Sequence, residues 1–96
     1  MKVIWSNRAL RSLAAIHERV SAESEAATAH RVVDRILQRG EQLAAFPFSG
    51  RIVERYKRPG IRELIESPYR IVYRATRQHI QIIDVFHSVQ LPPWER

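Results

Sequence analysis

The stretch that decides the fold is GIRELIESPYRIVYRATRQHIQIIDVFH, residues 60 to 87 of the 96-residue chain. It contains three runs that are rich in β-branched and aromatic residues, at positions 61–66, 69–75 and 78–87. Ser67-Pro68 and Thr76-Arg77 separate these runs, and short breaks of this kind join neighbouring antiparallel strands. The stretch therefore predicts a three-stranded antiparallel β-meander.

Side chains alternate between the two faces of each predicted strand. In the middle run this places Tyr69, Ile71 and Tyr73 on one face, and Arg70 and Arg74 on the other. Residues 80–86 are apolar on both faces apart from Gln81 and Asp84. Because a strand that is apolar on both faces is usually covered on both, the last run is predicted to be an interior strand.

The residues before this stretch predict one further strand and two helices. Residues 2–5 are β-prone, and Ser6 or Asn7 can cap a following helix. Apolar residues recur every three or four positions over residues 7–20 and again over 25–45, as in amphipathic helices. The predicted buried stripes are Leu10, Leu13, Ala14, Ile16, His17 and Val20, then Ala29, Val33, Ile36, Leu37, Gly40 and Leu43. The turn-rich residues 47–60 predict a long connection.

Two consecutive helices with a short connection form an antiparallel hairpin, whose apolar face needs a sheet to cover it. The expected fold class is α+β: an N-terminal strand, an antiparallel helical hairpin and the three-stranded meander. Residues 1–96 are predicted to form a single domain, because two cores of this size could not each bury enough apolar surface. The predicted core comprises Leu13, Val33, Ile36, Leu37, Ile71 and Ile82.

The composition excludes several classes of site and location. The chain has no cysteine, which excludes disulfides and thiolate metal sites. No apolar run approaches the ~20 residues that cross a bilayer, and the N-terminus lacks a signal sequence, so we expect a cytoplasmic protein with no membrane partner. The four histidines lack metal-ligand spacing. Phosphate loops and the common hydrolase motifs are also missing, so no metal or cofactor is predicted.

The net charge indicates the kind of partner. The chain carries 16 basic and 10 acidic residues, for a formal net charge of +6. Lys2 and Lys57 are the only lysines, so the other 14 of the 16 basic residues are arginines. The planar guanidinium suits carboxylates and phosphates, which favours an acidic partner such as nucleic acid or an acidic protein segment. A solvated surface in an arginine-rich proteome remains the alternative.

The arginines of the predicted meander form a candidate basic patch. Arg62, Arg70 and Arg74 lie on neighbouring strands, and a sheet would hold them rigidly. The alternative is an ordinary solvated face that Glu63 and Glu66 neutralise.

Two further features are candidates for binding. Arg31, Arg35 and Arg39 repeat every fourth residue of the second helix, where like charges repel slightly. That cost suggests an acidic partner, although a solvated face beside Asp34 explains the pattern as well. His87 ends the interior strand, where side chains emerge into an open groove, and both a functional and a structural role remain open for it.

In this order, PFSGRIVE, IRELIESPYRIVYR and IIDVFHSVQLPP resemble segments of the RelE/ParE superfamily of bacterial type II toxin–antitoxin toxins. The resemblance covers nearly the whole chain. It implies a small α+β toxin that an antitoxin encoded beside it keeps inactive, as in systems that stabilise plasmids. ParE-type members block DNA gyrase, whereas RelE-type members cut mRNA on the ribosome. A toxin that has lost its activity and survives as an antitoxin-binding corepressor is a third alternative.

The chain departs from the nuclease pattern of the superfamily. Glu63 and Glu66 stand where further basic residues would hold phosphate, and Ser88 to Gln90 follow His87 where an arginine is usual. The tail offers Trp94 and no tyrosine. We therefore expect a gyrase inhibitor rather than an enzyme.

The resemblance and the charge pattern together assign candidate site residues. Those expected to contact the target are Arg62, Arg70, Arg74, His87 and Trp94. Those expected to contact the antitoxin are Arg31, Arg35 and Arg39. If the chain is instead a nuclease acting on mRNA in the ribosome, the candidate catalytic residues are Arg62, Arg70 and His87.

Overall fold

The computed structural model describes residues 1–56, 58–92 and 95 of the chain. Its elements, in chain order, are β1 (Lys2–Trp5), α1 (Asn7–Glu23), α2 (Ala26–Glu41), a short 3₁₀ helix (Gln42–Ala44), β2 (Arg51–Ile52), β3 (Ile61–Glu66), β4 (Tyr69–Ala75) and β5 (His79–His87). The predicted α+β order of strand, helical hairpin and meander is confirmed.

The strands form one five-stranded sheet in the order β1-β5-β4-β3-β2. β1 lies parallel to β5, and the other neighbouring strands are antiparallel. β5 is therefore an interior strand, as its apolar faces predicted. The two-residue strand β2 falls inside the predicted long connection, so that part of the prediction was wrong. A strand of this length is too short to show a period of two in the sequence.

α1 begins where Ser6 links it to the sheet. The Ser6 hydroxyl accepts a hydrogen bond from the Ala9 amide at 3.0 Å and donates one to the Ile83 carbonyl at 2.7 Å. The helix continues to Glu23, beyond the predicted end at residue 20. Leu10 is 49% exposed although it was predicted to be buried, and Ala9 is buried instead. The buried face of α1 is thus rotated from the prediction near its N-terminus.

α2 ends four residues before the predicted boundary at residue 45, and the 3₁₀ helix follows it over Gln42–Ala44. Gly40 lies against Trp5, because a Cβ atom placed on it would come 2.5 Å from the indole ring. The indole nitrogen also donates a hydrogen bond to Glu41 at 3.1 Å. The small residue therefore allows β1 to approach the end of α2. Among the described residues, no helix is long and apolar enough to cross a membrane.

The main core lies between the hairpin and the sheet. Leu13, Ile36, Ile71 and Ile82 are buried there as predicted, while Val33 and Leu37 are only partly buried and pack against that cluster. A second apolar cluster of Ile61, Val72 and Phe86 lies on the opposite face, where Val53 and Tyr56 pack against it. Both faces of the sheet thus carry apolar side chains, and the residues after β2 cover part of the face remote from the helices.

Candidate target-binding site

The strand register divides the predicted arginine patch between the two faces of the sheet. Arg70 pairs with Phe86, and Arg74 pairs with Ile61, on the face remote from the helices. Arg62 instead pairs with Tyr73, which belongs to the core under the helices. The structure therefore brings Arg70 and Arg74 to one face but does not bring Arg62 together with them.

Arg62 holds the turn that precedes β2. One of its terminal nitrogens donates hydrogen bonds to the Gly50 carbonyl at 2.8 Å and to the Phe48 carbonyl at 3.2 Å. Its guanidinium carbon also lies 5.3 Å from the centre of the Phe48 ring. Because its guanidinium group makes all these contacts, Arg62 helps to fix the backbone at residues 48–50.

Gly50 approaches β3 and β4 more closely than a residue with a side chain could. A Cβ atom on Gly50 would lie 2.6 Å from the Tyr73 hydroxyl and 2.8 Å from the Glu63 carbonyl oxygen. Without a side chain, the Gly50 amide donates a hydrogen bond to the buried Tyr73 hydroxyl at 2.9 Å. The turn at residues 49–51 therefore needs its glycine for close packing. This packing places Arg51 beside Glu63.

Burial raises the pKa of the Tyr73 hydroxyl above its ordinary value, because the phenolate would lose its hydration in the core. The hydrogen bond from Gly50 and the positive charges of Arg62 and Arg39 act in the opposite direction without overcoming that effect. Tyr73 is therefore a neutral structural tyrosine that joins the β2 turn to the core.

Glu63 is the centre of the charge cluster on the remote face. Its side chain is only 3% exposed, and its Oε1 atom accepts hydrogen bonds from Arg51 at 2.6 and 2.7 Å. Arg70 lies 3.3 Å from the same oxygen. A buried carboxylate is tolerable when cations pair with it. Here the carboxylate is paired by two arginines that approach from the strands on either side of β3.

A cavity of about 430 Å³ opens beside this cluster. Arg51, Arg55, Arg70, Glu54 and Glu63 supply its charged walls. The Oε2 atom of Glu63 and the Nε atom of Arg70 are buried and have no hydrogen-bond partner within the described residues. Buried polar atoms are nearly always paired in folded proteins. These two atoms therefore mark a polar site that the described part of the chain does not saturate.

His87 faces the helix side of the sheet at the end of β5. Its ring lies edge-on to Tyr69, with the ring centres 5.4 Å apart, and its Nδ1 atom accepts the Val89 amide at 3.2 Å. Tyr69 in turn accepts a hydrogen bond from Arg19 of α1 at 2.7 Å. His87 and Arg70 consequently lie on opposite faces of the sheet.

The three arginines predicted on α2 differ in their contacts. Arg35 and Arg39 both pair with Glu66 of β3, each at 3.8 Å. Arg31 is exposed and donates a hydrogen bond to Thr28 at 3.0 Å. Glu66 therefore partly neutralises the positive charge of these three arginines.

The remaining expectations have different outcomes. Trp94 lies outside the described residues. No group of three or more His, Cys, Asp or Glu side chains that could hold a metal ion occurs within residues 1–56, 58–92 and 95. Sequence analysis did not assign Arg51 or Arg55 to the site, although the segment PFSGRIVE that contains Arg51 was part of the family resemblance. The missing signal was the two-residue strand that sets Arg51 opposite Glu63.

Known proteins resemble the chain in both sequence and fold. The sequence profile of the family described as the ParE toxin of the type II toxin–antitoxin system parDE matches residues 3–92. Among curated protein sequences, none matches the chain significantly.

Two solved structures share the fold. In the chromosomal ParDE toxin–antitoxin system of P. aeruginosa, the similar chain has 26% identity and a TM-score of 0.78, with 91% of this chain and 95% of that one covered. In the RelBE2 toxin–antitoxin complex of Mycobacterium tuberculosis, the similar chain has 18% identity and a TM-score of 0.65, with coverage of 90% and 95%. At 18% identity, this second likeness concerns the fold alone.

Proposed function

We infer that this chain, which belongs to the ParE toxin family of type II toxin–antitoxin systems, inhibits growth by binding DNA gyrase in the cytoplasm. The cognate antitoxin neutralises this toxin by binding to it. Family membership supports the toxin role directly. The choice of gyrase over mRNA rests on the arrangement of charges around Glu63.

The Glu63 carboxylate supports a binding role rather than RNA cleavage. Cleavage needs a base for the 2′-hydroxyl, an acid for the leaving oxygen and cations for the charge that develops on the phosphorus. Arg70 is the candidate cation on the remote face, yet it lies 3.3 Å from the Glu63 carboxylate, whose negative charge opposes phosphate binding. His87, the candidate base, lies on the other face with Tyr69. The two candidate catalytic groups therefore do not converge on one phosphate.

The proposed gyrase-binding surface comprises the remote face and the C-terminal tail. Arg74 lies at this face and is only partly buried, and it forms no ion pair within the part of the chain that the structure describes. Beyond β5, Val89 is 86% exposed and Leu91 is 61% exposed. Exposed apolar side chains and a basic face are both features of protein-binding surfaces. We propose Trp94 as an aromatic anchor of this surface.

The experiment compares the two candidate targets with the same purified toxin. Supercoiling by DNA gyrase and cleavage of translated mRNA are measured in parallel across a range of toxin concentrations. We expect inhibition of supercoiling and intact mRNA. Truncation at Leu91 should abolish gyrase inhibition, while the antitoxin still binds and the melting temperature is retained. Codon-specific mRNA cuts that Arg70→Ala or His87→Ala removes would instead establish the nuclease. Loss of antitoxin binding with the tail would show that the tail is not specific to gyrase.

The antitoxin is proposed to be acidic and partly disordered when free, since the chain carries a net charge of +6. Folding of such a segment on the toxin buries a large apolar surface and gives a strongly negative change in heat capacity. Titration calorimetry at several temperatures measures this change. Salt-insensitive binding with a negligible change in heat capacity would contradict the proposal.

A further inference from the structure

A second cavity of about 430 Å³ lies between α1 and the end of β5, on the helix side of the sheet. Its floor is apolar and includes Ile16 and Val85, both of which belong to the main core. Its cationic walls are Arg8, Arg11 and Arg19, which project from one helix. The cavity therefore combines an apolar floor with a basic wall, and it is separate from the cavity beside Glu63.

The three arginines are unequally engaged. Arg8 lies 3.4 Å from the buried carboxylate of Asp84, and Arg19 donates a hydrogen bond to the Tyr69 hydroxyl at 2.7 Å. Arg11 is exposed and forms no ion pair or hydrogen bond with any residue in the described ranges. One of the three guanidinium groups pairs with a carboxylate of the described residues, so the cavity wall remains positively charged.

Arg31 of α2 is exposed and hydrogen-bonds Thr28, but the other two arginines of that helix already have an acidic partner. Glu66 already pairs with Arg35 and Arg39. A carboxylate that approached Arg35 or Arg39 would compete with Glu66, whereas Arg11 offers an unoccupied guanidinium group. Guanidinium groups bind carboxylates through two parallel hydrogen bonds, which fixes the orientation of the acidic side chain.

We propose that the cavity on α1 receives an acidic segment of the cognate antitoxin. A carboxylate of that segment binds Arg11, and an aliphatic side chain beside it lies on Ile16 and Val85. The inference rests on the proposed function only in taking the chain to be a toxin with an antitoxin partner. It does not depend on gyrase being the target. It places the main ionic contact on α1 rather than on the α2 arginines expected from the sequence.

Charge complementarity selects this occupant. The cavity wall is cationic, and an acidic segment gains both ion pairs and apolar contact in a space of about 430 Å³. A purely apolar segment would leave Arg11 without a partner. A polyphosphate backbone has no apolar groups that could contact the floor of the cavity. We therefore propose a protein segment as the occupant.

The test is a pair of charge reversals that change the net charge of the toxin equally. Arg11→Glu alters the cavity. Arg77→Glu, in the exposed turn between β4 and β5, is the matched control, because Arg77 also forms no ion pair within the described ranges. Full-length toxin and full-length antitoxin are titrated in a calorimeter at two salt concentrations. We expect Arg11→Glu to weaken binding by at least about tenfold at low salt, and Arg77→Glu to change it by less than about twofold.

Arg11→Gln controls for a folding defect of Arg11→Glu, because it removes the positive charge without introducing a carboxylate. It should weaken binding less than Arg11→Glu does and leave the melting temperature unchanged. Equal antitoxin affinity for the wild type, Arg11→Gln and Arg11→Glu would overturn the proposal, and so would equal weakening by Arg11→Glu and Arg77→Glu.

The gyrase assay separates this inference from the proposed function. Arg11→Glu should inhibit supercoiling as the wild type does. If the variant loses gyrase inhibition but keeps its antitoxin affinity, the cavity binds the target and the inference is overturned. If the wild type itself fails to inhibit gyrase, the proposed function fails, while the antitoxin titration still decides whether α1 holds the antitoxin.

Discussion

Two carboxylates of the sheet, Asp84 and Glu63, are both buried, but different contacts stabilise their negative charges. Asp84 is completely buried and its Oδ1 atom accepts hydrogen bonds from the Ser12 hydroxyl at 2.5 Å and the Val85 amide at 2.8 Å, while Arg8 lies near its other oxygen. Glu63 is nearly as buried, but its arginine contacts converge on Oε1 and its Oε2 atom has no partner within the described residues. The difference suggests that Asp84 anchors the fold and that Glu63 organises a surface.

The surroundings of the two acids fit this distinction. Asp84 joins β5 to α1 beneath the helices, where its donors come from the fold itself. Glu63 joins the two-residue strand β2 to β4, and its main cation, Arg51, has a side chain that is 61% exposed. A partner can therefore reach the exposed arginine of the Glu63 cluster directly, whereas Asp84 is completely buried and its partner Arg8 is half-exposed.

Replacing each acid with its amide is the sharpest way to test the comparison, and Asp84→Asn should have the largest effect. The amide nitrogen cannot accept the hydrogen bonds that reach one of the carboxylate oxygens, so donors in the core lose their charged partner. We expect the free energy of unfolding to fall by about 3 kcal/mol. Urea unfolding of wild type and variant measures the loss, and Asp34→Asn, the same substitution at an exposed position of α2, is the control. A loss below about 1 kcal/mol would show that Asp84 is not an anchor.

The position of Asp84 could not have been predicted from alternation along the strand. The register between β4 and β5 shifts between Val72 and Tyr73, because Ile83 has no partner opposite it. Such an irregularity lets consecutive side chains turn to the same side. Asp84 contacts α1 while the next residue, Val85, also enters the core under the helices. The sequence showed a polar residue in an apolar strand but not the irregularity that directs it towards Ser12.

Tyr73→Phe should have the next largest effect, through the β2 turn beside the Glu63 cluster. Removing the hydroxyl leaves the buried Gly50 amide without its acceptor, which should cost about 1.5 kcal/mol at neutral pH. Because the folded state raises the pKa of Tyr73, its contribution is fully present below the unfolded pKa of about 10 and is lost as the pH rises beyond it. Urea unfolding between neutral and alkaline pH should therefore show the difference between wild type and variant shrinking above pH ~10. If the difference in unfolding free energy stayed constant with pH, ionisation of Tyr73 would not be linked to folding.

The same turn shows where sequence-based reasoning succeeded and where it failed. Strand periodicity located β3 and β4 with their observed ends, since long alternating runs carry a strong signal. The same periodicity does not show which residues pair across neighbouring strands. Arg62 and Arg70 were assigned to one patch, but their cross-strand partners place them on opposite faces. The candidate site depends on such pairings, and therefore less of it was predictable than of the fold.

Arg62→Ala tests this separation of the two arginines. The Phe48 and Gly50 carbonyls lose a charged donor, so we expect a loss of about 1 kcal/mol in unfolding free energy. Arg70→Ala is the matched comparison. It should change stability by less than about 0.5 kcal/mol, because Arg51 still pairs with Glu63 and the replaced side chain is partly exposed. Denaturant titrations compare them. If Arg70→Ala is the more destabilising, Arg70 is a structural residue and the remote face is not a free binding surface.

Glu63→Gln should cost much less stability than Asp84→Asn, and it therefore completes the comparison between the two acids. The amide oxygen can take the position of Oε1 and still accept from Arg51, while the new NH₂ group takes the position of Oε2, where no described donor is displaced. We expect a loss below about 1 kcal/mol, since the arginines remain solvated enough to avoid an uncompensated buried charge. The variant should nevertheless gain salt-dependent affinity for single-stranded RNA, because Arg51 and Arg70 are no longer neutralised. Fluorescence anisotropy with labelled RNA at two salt concentrations measures this gain, and Glu66→Gln on the helix side is the control. Equal RNA binding by both variants would show that Glu63 does not set the charge of the remote face, and a stability loss as large as that of Asp84→Asn would remove the distinction between the two acids.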